Sequence, residues 1–201
     1  MTTNSRTVRV IAVALVALAA GLSGCTTKPT APAGTPAGGS TAAADSNPAG
    51  DIPDNQAFVP FTPPEHLFTV SVPEGWARTT QGVATVFTDK SNSVRIETRT
   101  PTSAPTVDTA RVDELPVLEA TTPGFHLGGI SVVDRKAGQV VLITYTATSP
   151  PNPVTGKSGT DAVERYEFWH GNDEVILTLS GAVGSDNVDP WRTITDSLQW
   201  T

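Results

Sequence analysis

The chain has 201 residues, with 20 acidic against 13 basic side chains and a single cysteine. That balance argues against nucleic acid and anionic headgroups as main partners, because both are held by basic patches. One cysteine leaves no disulfide scaffold and no thiolate metal site.

Residues 1–9 are polar and carry Arg6 and Arg9; Val10 to Leu22 is apolar. This is the order of a secretion signal. As a helix the apolar run reaches about 20 Å, short of the roughly 30 Å of a bilayer core, so a stable span is not expected. Leu22-Ser23-Gly24-Cys25 follows. It resembles the bacterial lipobox, which implies cleavage between Gly24 and Cys25 and attachment of diacylglyceryl and N-acyl groups to Cys25. Two buried acyl chains at about 0.8 kcal/mol per methylene contribute on the order of 20 kcal/mol, an effectively permanent membrane anchor. Loss of Arg6 and Arg9 with the signal leaves about nine net negative charges, enough to keep an exported domain soluble.

Residues 26–55 are Pro, Ala, Gly, Thr and Ser with almost no large apolar side chain. Such a stretch cannot bury enough surface to offset its ordering entropy and reads as a disordered tether, about 30 Å across as a coil. Its Thr and Pro content also suits glycosylation. The domain plan is therefore residues 1–24 signal, 25–56 lipidated cysteine and tether, and 57–201 one globular domain.

"LFTVSV" alternates, with Phe68, Val70 and Val72 on one face, and stops at Pro73 and the "PEGW" turn. "VATVFTD" and "SVRIETR" form the next strands around "KSNS"; Val94 and Ile96 face inward. After a Pro/Thr/Ser loop, Val112, Leu115 and Leu118 recur at helical spacing. Asp108 is placed to cap that helix, Gly124 lies beyond its end, and Pro116 predicts a kink or two short helices. "FHLGGISVVDRKAGQVVLITYTATS" reads as two strands around "KAG". The second is apolar on both faces from Val140 to Tyr145 and is expected to be central. "PPNPVTGKSGTD" is a turn-rich loop. "AVERYEFWHGNDEVILTLSG" is a hairpin around Gly171-Asn172. In "GSDNVDPWRTITDSLQW", Asp186 or Asp189 caps a last helix, with Trp191, Ile194 and Leu198 on one face. The expectation is α+β: about seven mostly antiparallel strands, with a middle and a C-terminal helix packed on the sheet.

"FTVSVPEGW" and the closing "ITDSLQW" resemble the start and end of the PsbP-like fold, across residues 61–200. That superfamily includes the PsbP protein of photosystem II, a Ran-binding import factor and the LpqN-type lipoproteins of actinobacteria. The lipobox with a Thr/Pro/Ala tether resembles the last group most. The resemblance implies a central antiparallel sheet between helices and a binding or assembly role without catalysis. The photosystem role of PsbP finds no matching residues here.

No catalytic pattern emerges. His66, His126 and His170 share no metal-ligand spacing, and no HExxH is present. "VTGKSG" lacks the first glycine of a phosphate loop, Pro151 standing in its place. There is no GxSxG and no SxxK. Asp186 and Asp189 are too few for a calcium loop. Glu164 and Glu167 fall on opposite faces of one strand and make a poor acid–base pair. The chain therefore reads as no enzyme, with no cofactor and no metal.

The aromatic residues Trp76, Tyr166, Trp169, Trp191 and Trp200 serve packing or line a groove for an apolar ligand or partner segment. Trp76, Pro151, Asn152, Lys157 and Trp169 are the candidate interaction surface. The function expected is a non-catalytic binding or assembly lipoprotein on the outer face of the cytoplasmic membrane, facing an unknown envelope protein. The alternative is a carrier of an apolar or lipid ligand between sheet and helices.

Overall fold

The structure, a computed structural model, describes residues 50–152 and 154–201. The expected signal, the expected cleavage and lipidation site at Gly24 and Cys25, and the expected tether up to residue 49 lie outside the described residues. Ten strands and three α-helical segments follow in the described part. A seven-stranded antiparallel sheet runs in the order β3(Ala77–Gln81), β4(Ala84–Asp89), β5(Asn92–Arg99), β9(Asp173–Ala182), β8(Thr160–His170), β7(Gly138–Thr148), β6(His126–Arg135). A smaller sheet holds β2(Phe68–Pro73) between β1(Phe58–Phe61) and β10(Gln199–Trp200). The hairpins follow from tight turns; Gly171, between β8 and β9, has φ +63°, the left-handed conformation that glycine adopts without strain.

The α+β architecture is the one the sequence implies, with four revisions. "LFTVSV" is not part of the large sheet: β2 pairs with β1 and β10 and lays Phe68, Val70 and Val72 onto its face. The strand at Gly138–Thr148 is buried on both faces but lies next to the edge; β9 is the middle strand. The closing helix α3 spans Val188–Asp196, and Gln199–Trp200 leaves it to become β10. Its N-cap is Asn187, not Asp186 or Asp189.

The Asn187 side chain does not cap its own helix because it serves the incoming chain. Its Oδ1 accepts from the Ile52 N–H at 2.7 Å, and its Nδ2 donates to Asn92 Oδ1 at 2.9 Å. Asn92 Nδ2 in turn donates to the Gly50 carbonyl at 2.9 Å. Ile52 is buried in the core, so packing begins ahead of the boundary expected at residue 57. Gly181 leaves room for this network: a Cβ there would lie 2.5 Å from Asn92 Oδ1.

The two faces of the large sheet differ. The first carries the main core: Val94, Ile96, Phe168, Val175, Leu177 and Leu179 meet β2, Trp191 and Ile194 of α3, and Leu198 just beyond it. The second is covered by one segment, made of α1(Val107–Thr109), a π-helical turn (Ala110–Glu114) and α2(Leu115–Thr121). Thr106, rather than Asp108, caps it, in a reciprocal capping box with Thr109. The break that Pro116 predicts is present as the π turn. The Leu115 N–H reaches the Ala110 carbonyl, and the widened turn accommodates a proline ring that would clash with the carbonyl four residues back.

Candidate functional site

The second face places charge where a core would be apolar. β5 contributes Arg95, Glu97 and Arg99; β8 contributes Arg165 and Glu167; β9 contributes Glu174, paired in register with Arg99. Glu114 comes down from the π turn. Its carboxylate accepts from Arg99 Nη1 at 2.6 Å and from Arg165 Nη2 at 2.7 Å. Arg165 also reaches Glu167 at 3.3 Å through Nε and Glu97 at 3.8 Å through Nη1. Arg95 Nη2 donates to Glu97 Oε1 at 3.1 Å.

The side chains of Arg165 and Glu167 are 5% and 1% exposed. Charges this deep lose hydration worth several kcal/mol each, and mutual attraction only offsets that cost when every partner is in place. Four carboxylates face three guanidiniums. Burial, with added repulsion from Glu114 and Glu174, pushes Glu167 up to about 7 against the pull of Arg165. Burial likewise raises Glu174. Burial also acts to raise Glu97, but the Arg95 hydrogen bond and the charges of Arg95, Arg165 and Arg99 outweigh it and hold its carboxyl below the usual range. Protonating Glu167 balances the cluster. Thr178 stands in register between Arg95 and Arg165, its Oγ1 buried without a hydrogen-bond partner.

A second feature lies at the edge. β6 is the outermost strand, ten residues long, and pairs only with β7 among the described residues. On the second face it shows Leu127 and Val132, 43% and 50% exposed. At its start an open groove of about 460 Å³ is lined by Glu119, Thr122, Gly124, Phe125, His126 and Leu127. A bulge between Leu127 and Gly129 interrupts the pairing there.

The five residues expected to form one surface do not converge. Pro151, Asn152 and Lys157 are exposed in the β7–β8 loop, which Asn152 organises by accepting from the Val154 and Thr155 N–H groups. Trp169 is half-buried near the far end of β8, roughly 30 Å away at strand rise. Trp76 packs against the main core beside β3, with its indole N–H on Gln56. Tyr166 and Trp191 are core residues, so the aromatics form no common groove. Tyr166 is tied instead to Glu164 and Arg135, whose guanidinium lies 4.8 Å over its ring. Glu164 and Glu167 do face opposite ways, as the alternation implies. The sequence reading missed that Glu167 meets carboxylates of other strands. The outward alternation of Arg95, Glu97 and Arg99 was its visible trace.

Among the described residues, no three His, Cys, Asp or Glu are grouped to hold a metal. None of the helices described there is long and apolar enough to cross a membrane.

No protein-family model and no curated protein matches the sequence. Among solved structures, a Bacteroides thetaiotaomicron VPI-5482 protein aligns at 15% identity and TM-score 0.48, over 71% of this chain and 48% of its own. The chain thus spans about half the length of that protein. Cyanobacterial PsbP (CyanoP) from Synechocystis sp. PCC 6803 aligns at 13% identity and TM-score 0.53, over 77% of this chain and 100% of its own. LpqN of Mycobacterium tuberculosis, a protein involved in cell envelope biogenesis, aligns at 16% identity and TM-score 0.40, over 74% and 92%. The class is an α+β domain built on an antiparallel sheet. The fold is PsbP-like.

Proposed function

We propose that the protein is a lipid-anchored extracytoplasmic binding module, without catalysis, that recognises a partner protein through the β6 edge. The observation that carries the reading is the ten-residue edge strand β6, whose outer side is unpaired among the described residues, with exposed Leu127 and Val132 on one face. Unpaired edges accept an added strand, and alternate side chains beside them supply specificity. The anchoring half rests on Leu22-Ser23-Gly24-Cys25 and the tether composition. The carrier alternative has no support from the geometry: the space beneath the π turn is filled by Glu114, Arg165 and Glu167, and the groove beside β6 is open to solvent.

The test is a photocrosslinking residue placed at Val132 in the full-length lipoprotein in intact cells, with Val154 as the loop control. One defined adduct at 132, lost with Asp134→Pro, whose N–H lies on the outer side of the strand, while thermal stability is retained, supports edge recognition. Adducts at 154 but not at 132 overturn it. Turnover of a wall or lipid substrate by the purified chain overturns the non-catalytic part.

A further inference from the structure

The segment from Thr106 to Thr121 is weakly built into the domain. Ala110 is its one fully buried residue, and Leu118 packs at the margin of the second-face cluster. Val112 and Val117 are 70% and 57% exposed. Its other side-chain hydrogen bonds are internal, between Thr106 and Thr109 and from Thr121 to Val117. Among the described residues, the polar side-chain links to the sheet are those of Glu114 to Arg99 and Arg165. The segment is thus a strap with a single ionic clasp.

Without Glu114, the clasp site has Arg95, Arg99 and Arg165 facing Glu97, Glu167 and Glu174. Arg165 would keep its in-sheet partners, but both guanidinium ends that Glu114 now joins would lose their acceptor. Arg165 is 5% exposed, and an unmet guanidinium donor that deep is costly, so the site favours a carboxylate. Beside it, Val163, Ile143 and Tyr145 form the apolar ground on which Ala110 rests.

We propose that this strap is displaceable and that the Arg99–Arg165 seat it covers is a binding site for an acidic helical segment. The incoming segment carries a carboxylate with a small residue four positions before it, the Ala110–Glu114 spacing of the strap. This surface is separate from the β6 edge, and its test does not depend on the edge being used.

The probe is a synthetic peptide of residues 105–122, added to the full-length chain in detergent micelles. Hydrogen exchange is read at the Ala110, Leu115 and Thr122 amides, which close the strap's own turns. Glu114→Gln is expected to speed their exchange about ten- to a hundredfold, the loss of charge-assisted bonds, while β8 and β9 amides stay protected. Arg99→Gln, on a side chain 42% exposed, gives the same local release and covers the case in which Glu114→Gln disturbs the whole fold. The peptide is expected to bind the Glu114→Gln chain and gain protection at its own Ala110, Leu115 and Thr122 amides, whereas a peptide carrying Glu114→Gln does not. Strap amides unchanged in both variants, or no difference between the two peptides, overturn the proposal.

Discussion

The two faces of one sheet solve burial differently. On the first, alternate residues of β5, β9 and β8 are large and apolar and meet a second sheet and a helix, so stability grows with area removed from water. On the second, the same strands present guanidiniums and carboxylates under one short strap. There the interactions hold only as a set, since removing one partner strands another in a poorly hydrated site. The first face fixes the fold; the second is the one that a local change in charge can open.

The largest effect is expected on the apolar face. Phe168→Ala should cost about 3–5 kcal/mol, read from denaturant unfolding, because Phe168 is fully buried and leaves a cavity. A cost below 1 kcal/mol would mean the core is less closely packed than described. On the ionic face, Arg165→Met should cost nearly as much, about 3–5 kcal/mol, by leaving Glu167 unpaired and Glu114 with Arg99 alone. The comparison is sharpest in the triple replacement Arg165→Met, Glu167→Leu, Glu114→Gln. It should recover most of that loss, since replacing a whole buried cluster is often neutral or stabilising. No such rescue exists for Phe168→Ala by further truncation.

Glu167 gives the ionic face a pH dependence that the apolar face lacks. Its carboxyl is raised to about 7 in the fold, above its ordinary value, so the folded state holds a proton that the unfolded chain releases. The associated stability is full below the ordinary carboxylate range and is lost as pH rises through about 7. The raised Glu174 and Asp161 act in the same direction, and the lowered Glu97 opposes them. Thermal unfolding should therefore shift down by several degrees from pH 5.5 to pH 8, and Glu167→Gln should flatten the profile. An unchanged profile in that variant would remove Glu167 as its source.

Smaller effects test the periphery. Asn187→Ala removes the acceptor for Ile52 N–H and a partner of Asn92, and should cost about 1–3 kcal/mol, with faster exchange at Ile52. Leu127→Lys on the exposed edge should change stability by no more than about 0.5 kcal/mol while abolishing partner crosslinking from position 132.

Period-two alternation made β2, β5 and the β8–β9 hairpin legible, because a strand with one buried face must alternate. The same rule misplaced β2. Alternation says that a strand has an apolar side, and it does not say which sheet receives it. Three short strands, β1, β3 and β10, escaped notice. β3 is exposed at every residue and β10 is two residues long, so neither carries a pattern. The candidate surface residues are scattered for a related reason: Trp76, Lys157 and Trp169 are each exposed or half-exposed, but a polar or aromatic signal along the chain does not imply proximity in space.

By itself the sequence determined the local chemistry: where apolar side chains alternate, where glycine turns the chain, and where proline breaks a helix. These depend on neighbours along the chain and on the geometry of a single strand or helix. Only the tertiary structure decided that Arg99, Glu114, Arg165 and Glu167, from three distant stretches, share one buried clasp, and that β6 is left at the edge. Both follow from strand order, which is set by how all the apolar faces are buried at once.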